Sequence, residues 1–560
     1  MLRFGSMTGR RSIVLAFAGA VVALTLGTQV AGAGGHDAVA GVVADVGPGR
    51  EPVPAGFADT ILVPQDVATI QGAVDDARPG GMVLIDAGVY RESVTVTTPY
   101  VTIRGMDRNG VVIDGAFERA VGIHVIEADG VTIENLTVRN HLVNGVQWSS
   151  VHGYRGSYLT AYNNGDYGVF ASDSQWGQFD RSYASGSPDS GFYIGQCFPC
   201  HAVVRNVLAE HNALGFSGTN AGGDLAIVNS EWRHNLAGIV PNTLDSEADP
   251  PQRDMLVAGN FVHDNNSRTA DSTSLTYPTF GAGILVTGGV GNVIVGNLVQ
   301  NHESYGIAML PDLDRNVWVT SGNVVRDNVV RASGLADLAL GAPAAGDDCF
   351  AGNDAATSSP PAIELIRGCD GWFIGAGGGS PAPTLHAGVR FLEALDGDFP
   401  HGDWQSQPAP PGQPTMPDPE RAPPSPAIPD QSVPQTFRIR SVGAIEPADT
   451  TVSRAPTVLG ISLAASWWGL LIGLYGYVLP GILYAAWVTI ALWDLIRQES
   501  QPISFRARWM AIVLLVPFAG PLIYFAFGRS PIPSQLRLML TLGGLVATIA
   551  ISALAALLGT

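Results

Sequence analysis

The chain contains no lysine; all thirty of its basic residues other than histidine are arginine. That absence excludes a lysine general base, a Schiff-base lysine and a phosphate-binding lysine. Charge of either sign is scarce, at 14% of 560 residues, and acids outnumber bases 49 to 30. A net charge of −19 repels phosphate backbones, so nucleic acid is not an expected partner. Cysteine is limited to Cys197, Cys200, Cys349 and Cys369, too few for a disulfide-built scaffold.

Glycine and apolar residues are abundant. Sixty-eight glycines and an apolar share of 46% suggest a Gly-rich repeat joined to membrane segments. The length implies more than one region. Arg3, Arg10 and Arg11 precede an apolar run over Ile13–Leu26 and then "VAGAGG", the pattern of a signal peptide or anchor over residues 1–34. The region after residue 34 is expected outside the cytoplasm, where disulfides persist.

A glycine recurs beside an apolar residue at Gly122, Gly145, Gly168, Gly191, Gly215, Gly238, Gly283 and Gly306. The spacing is 23 or 24 residues, with one interval of 45 that reads as two turns with the middle landmark lost. A second column, nine residues earlier, holds Ser182, Asn206, Asn229 and Asn297. Regular self-similarity of this kind marks a solenoid. Segments such as "GVTIENLTV", "LAIVNSEW" and "NVIVGNLV" alternate β-branched and polar residues between Gly, Asn or Asp, which is strand patterning. A turn of this size accommodates three short strands, stacked in parallel at ~4.8 Å.

The repeat resembles the pectin-lyase-like right-handed parallel β-helix, placed here over residues 61–375. The opening "VATIQGAVDDARPGGMVLIDAGVYRESVTVTTPYVTIRG" resembles the start of many such proteins, with a short amphipathic helix, Thr69–Ala77, capping the open end of the core. The period breaks at Pro241–Asp254, Asn266–Thr279 and Pro311–Gly322. The first and third breaks should leave one corner about three turns apart, and such loops are where function concentrates.

Residues 376–458 are Pro-rich, for example "QPAPPGQPTMPDPERAPPSPAIPD", and read as a stiff extended spacer, with "FLEALDGDF" as a short helix. Residues 459–560 hold three apolar candidates for membrane spans, near Trp468–Trp493, Trp509–Phe527 and Leu538–Leu558. Arg497, Arg506 and Arg508 would place the first intervening loop in the cytoplasm. The stretch "ALWDLIRQESQPISFRARWMAIVLLVPFAGPLIYFAFGR" resembles the phospholipase D-nuclease N-terminal domain through Trp509, Pro517, Gly520, Pro521, Tyr524 and Phe527-Gly528-Arg529. In that family an His-x-Lys catalytic motif comes next; here no lysine exists, so the resemblance implies an anchor and not a phospholipase.

Four groups of residues carry candidate chemistry. His141, His211, His234 and His302 lie four residues before their glycine. Asn164 and Ser187 take that place in other turns. The column reads either as a ligand or metal stack or, more simply, as a polar ladder at a bend. Cys197–Cys200 ("CFPC") sits in a bend, where a structural disulfide is expected over a redox pair, and Cys349–Cys369 closes the last coil. Asp245, Glu247 and Asp249 in the first loop and Asp312 and Asp314 in the third are candidate Ca²⁺ or sugar ligands, with a solvated rim as the plainer reading. Asp166 and Asp189 share an offset on adjacent turns, with Asp173 and Asp180 nearby, and make a candidate catalytic set. Trp148, Tyr154, Trp176, Phe179 and Tyr183 are candidates for stacking on sugars.

The expected protein is an all-β parallel β-helix ectodomain on an α-helical membrane anchor, needing no cofactor beyond a possible Ca²⁺. It would sit at the cell membrane with the coil outside the cytoplasm, binding polysaccharide or a cell-envelope component. A polysaccharide lyase or glycoside hydrolase acting through the carboxylates is the alternative. A metal-handling accessory protein is a third reading, similar to the β-helix protein of nitrous oxide reductase maturation in repeat type.

Overall fold

The computed structural model describes residues 56–369, 379–397, 402–430, 479–498, 501–515 and 519–528, with positions 399 and 432 and short pieces over 532–533, 535–537 and 540–542. The expected signal over residues 1–34 lies outside them.

Every long-range strand pairing of the coil is parallel, and the chain winds through three faces per turn. The first face includes Gln175–Asp180, Ala202–Arg205 and Gly222–Val228. The second includes Tyr183–Ser185, Leu208–Glu210 and Glu231–Arg233. The third is a separate sheet of eleven strands, among them Tyr167–Ser172, Ser190–Gly195 and Leu214–Thr219. Inward residues stack in register, as in Val146–Val169–Phe192–Phe216–Ile239–Ile284–Ile307. One continuous apolar core runs from Val63 to Ile363.

The landmark glycines stand over one another. A Cβ on Gly145 would lie 2.6 Å from the Gly168 carbonyl oxygen, and one on Gly168 would lie 2.7 Å from that of Gly191. Gly215, Gly238 and Gly283 each face the next glycine's carbonyl in the same way. Glycine is therefore required for close approach of successive turns. The 45-residue interval, expected as two turns, is a single one, because Ile239 pairs directly with Ile284. The extra residues leave the coil as the first two loops. The first and third loops are thus two turns apart, and they clasp each other. Asn316 donates from its backbone to Asp245 at 2.7 Å, and the Ser246 N–H donates to Asp314 at 3.1 Å.

Both ends of the core are closed. Helix Ile70–Asp76 buries Ile70, Ala73 and Val74; Thr69 caps it and the Glu92 carboxylate accepts from its first two N–H groups. At the far end Ile363 plugs the core beside Cys349–Cys369, and the other expected disulfide, Cys197–Cys200, is also formed. Three ladders of amides run up the bends among the described residues. One is Asn260–Asn297–Asn328–Asn353, ended by Glu364, another is Asn212–Asn235–Asn265, ended by His302, and the third is Gln252–Asn292–Asn323, ended by Asp348.

The Pro-rich stretch is extended, but it is not free of the coil. Helix Pro381–Asp396 starts ten residues before the expected "FLEALDGDF" helix and packs Ala394 against the second loop and third face. Residues 402–430 then cross the second and first faces as a belt. Its prolines supply carbonyls without N–H groups, and the coil supplies donors. Asn163 donates to Gln405 and Gln407, Arg108 to Pro414, and Arg104 to Pro419, Ala422 and Pro423. Arg104 is fully buried and paired with Glu134 at 2.6 Å.

Of the three apolar C-terminal candidates, the described parts are helices Leu479–Arg497, Ile503–Leu515 and Ala519–Phe527. Among the described residues no helix is long and apolar enough to cross a membrane. Residues 468–478 and most of 538–558 fall outside them. Trp509 and Tyr524, two residues of the family resemblance, meet at 5.5 Å, and the Tyr524 hydroxyl joins Asp494 and Gln498.

Candidate functional site

On the outer side of the third face, successive turns place Asp166 under Asp189, with the Asp189 N–H donating to the Asp166 carbonyl at 3.2 Å. Side chains at equivalent positions of adjacent turns are separated by ~4.8 Å. Beside them the strand alternation brings out Phe170 and its register partner Tyr193, and Tyr167, at the start of its strand, joins them. Their rings lie 4.6–4.9 Å apart, Phe170 and Tyr193 nearly coplanar. The first loop folds over this strip, and the Tyr193 hydroxyl donates to Glu247 at 3.1 Å. The belt supplies a further wall: Trp404 packs on Phe117 and against Gly165, the residue before Asp166.

Three carboxyl groups share this cleft without a cation among the groups that set their ionisation. Burial pushes Asp166 up to about 6. Burial, and then the charge of Asp166, push Asp189 up to about 7. Burial also raises Glu247. With both raised toward neutrality, the stacked pair holds one proton between its two carboxyls near neutral pH. That is the condition for a general acid beside a general base or nucleophile, and the turn spacing is close to the ~5 Å of retaining glycosidase pairs.

The other two members of the candidate catalytic set are elsewhere. Asp180 is buried on the first face, paired with Arg155 and Arg181, and Asp173 is exposed at a corner, accepting from Ser150. The candidate metal carboxylates do not converge. Asp245 and Asp314 join the two loops, Asp312 accepts from Thr287 at 2.6 Å, Glu247 faces Tyr193 and Asp249 is exposed. Among the described residues no group of three or more His, Cys, Asp or Glu could hold a metal ion.

The histidine column divides. His141 and His302 occupy the internal ladder position and are buried, and burial drives His302 down to about 3, a neutral imidazole. His211 and His234 point outward in left-handed conformation, rings 6.0 Å apart and nearly parallel. Their neighbours Asn212 and Asn235 take the ladder place instead. The cause is bend length: three residues, not four, separate ladder and glycine in these turns. A one-residue slip reverses which side chain faces in. The same slip puts Asn206 and Asn229 outside while Ser182 and Asn297 lie inside.

Of the aromatics, Trp148, Tyr154 and Phe179 are core residues packed on one another and unavailable to a ligand. Trp148 comes two positions after inward Val146, which fixes its side. Tyr183 faces out but is covered, donating to Glu210 at 2.8 Å. Trp176 stands at a corner with φ +62°, stacked on His201 at 4.1 Å. Sequence reasoning missed Tyr167, Phe170 and Tyr193. For Phe170 and Tyr193 the signal was the period-two alternation in "YGVF" and "SGFY", two positions after the landmark glycine; Tyr167, the first residue of its strand, does not follow it.

The family model of the phospholipase D-nuclease N-terminal region matches residues 485–529. No curated protein matches the chain. Among solved structures the chain is similar to the A-module of mannuronan C-5 epimerase AlgE4 of Azotobacter vinelandii. That match has 16% identity and a TM-score of 0.37, covering 54% of this chain and 93% of that one. It is similar also to an alginate lyase of Paenibacillus sp. (15%, TM-score 0.36, covering 52% and 98%) and to pectate lyase Pel9A (12%, TM-score 0.37, covering 54% and 79%).

Proposed function

We propose that the coil is a glycan-binding module that takes a polysaccharide or cell-envelope glycan into the third-face cleft. The observation that carries this reading is half-buried Tyr167 and Phe170, backed by buried Tyr193, lying beside stacked Asp166 and Asp189. Aromatic rings stack on the apolar faces of sugars, and carboxylates accept from their hydroxyls. The C-terminal helices serve as the membrane anchor, with the coil outside the cytoplasm; the match at residues 485–529 and the two disulfides support this placement.

A second reading is favoured by one observation, the stacking of Asp166 under Asp189 on adjacent turns, where burial raises both carboxyls. In it the same cleft cleaves the glycan, with protonated Asp189 as acid and ionised Asp166 as its partner. One experiment serves both readings. The full-length protein is incubated with a panel of neutral and uronate polysaccharides, and binding and new reducing or unsaturated ends are both measured. Binding lost in Tyr167→Ala and Phe170→Ala variants supports the module. Chain ends that disappear in Asp189→Asn support the enzyme. No binding to any glycan refutes both.

A further inference from the structure

A different groove, where the first and second faces meet, is roughly 410 Å³ in volume, within the ~300–1,000 Å³ typical of small-ligand sites. Arg108, Tyr158, Arg181, Asn206, Asn229 and the belt residue Gln413 line it. Its charge is unusual for so acidic a chain. Arg108 is buried and has no carboxylate partner among the described residues; Thr160 Oγ1 and the carbonyls of Leu159, Arg181 and Pro414 take four of its five N–H donors. Arg181 lies over the Tyr158 ring and shares its one carboxylate, Asp180, with Arg155. Two guanidinium groups, Arg108 and Arg181, therefore line the groove, and Arg108 has no acid paired with it among the described residues. Glu231, the acid in the lining, is committed to Arg233 and His263. The outward amides of Asn206 and Asn229, one turn apart at the same corner, have no partner among the described residues.

We propose that this groove binds an oxyanion, a carboxylate, sulfate or phosphate group carried on a hydroxyl-bearing ligand. The arginines supply charge-assisted donors to the anion and the asparagine pair supplies donors and acceptors for hydroxyls. A buried guanidinium without a counterion gains most from an anion that approaches it in a site partly closed to water. The groove is separate from the third-face cleft, and the proposal does not depend on the reading given for that cleft.

The test uses full-length protein in detergent micelles, titrated calorimetrically with inorganic sulfate, a sulfated hexasaccharide, a uronate hexasaccharide and a neutral hexasaccharide. Anion-bearing ligands should bind at least tenfold more tightly than the neutral one, and more weakly as salt is added. Arg181→Gln and Asn229→Gly, the second keeping the left-handed backbone, should each cost at least fivefold. Asp173→Asn, at an exposed corner outside both the groove and the third-face cleft, should leave the affinity unchanged. Sulfate binding as tightly as the hexasaccharides would support the site and identify a free oxyanion as its ligand. Equal affinity for neutral and anionic sugars, no binding of any anion, or anion affinity unaffected in both groove variants with unchanged melting curves, would overturn the proposal.

Discussion

Replacing Asp189 by asparagine should stabilise this protein at pH 8 and do so much less at pH 5. The folded Asp189 carboxyl titrates at about 7, pushed up by burial and by Asp166, against ~3.9 in an unfolded chain. The folded state thus holds a proton that the unfolded state has released between those values. Stability from this group is complete below ~3.9 and falls as pH rises towards 7. A shift of ~3 units corresponds to ~4 kcal/mol at most. Asp189 is half-buried, not enclosed, and water at its open edge reduces the cost to ~2 kcal/mol. The asparagine amide carries no charge at any pH and escapes that cost. The difference in unfolding midpoint between Asp189→Asn and the parent, measured from pH 5 to pH 8, should therefore open by a few degrees in favour of the variant. Asp166→Asn should produce a smaller opening in the same direction and lower the titration of Asp189, since the charge of Asp166 is its second cause. A pH-independent difference, or one that shrinks from pH 5 to pH 8, would refute the placement of these carboxylates in a poorly hydrated cleft.

The packing dictates three further outcomes. Arg104→Ala leaves Glu134 buried and unpaired, so it should cost ~3–5 kcal/mol and expose residues 402–430 to limited proteolysis. Asn235→Ala breaks the amide ladder between Asn212 and Asn265 and should lower stability by ~1–3 kcal/mol, whereas His234→Ala, one residue away but outward, should change the unfolding midpoint little. Trp148→Ala should cost ~3–5 kcal/mol by opening a cavity in the core, and Trp176→Ala much less, in denaturant unfolding monitored by circular dichroism.

The start of the coil was implied by the resemblance of its opening stretch. The repeating glycines were sufficient to determine that the chain is a parallel coil with three faces, that Asp166 stands beside Asp189 and, from the number of turns between the cysteines, which of them pair. Those features arise from local periodicity, because one turn of the coil contacts only its neighbours and its spacing is written along the chain. Side-chain direction was legible only where the bend length stayed constant. In the turns carrying His211 and His234 the bend is one residue shorter, and the offset that places His141 inside places these histidines outside. The 45-residue interval had the same weakness, since length alone does not distinguish a second turn from two loops. What only the tertiary structure decided involves segments far apart in sequence: Glu247 laid over Tyr193, and the first loop tied to the third. The largest case is the proline-rich stretch. Its composition prescribes an extended chain with unused carbonyls, and the buried arginines of the coil, some three hundred residues earlier, determine where that chain lies. Periodicity describes how neighbours stack; it has no means of describing an acceptor meeting its donor across the molecule.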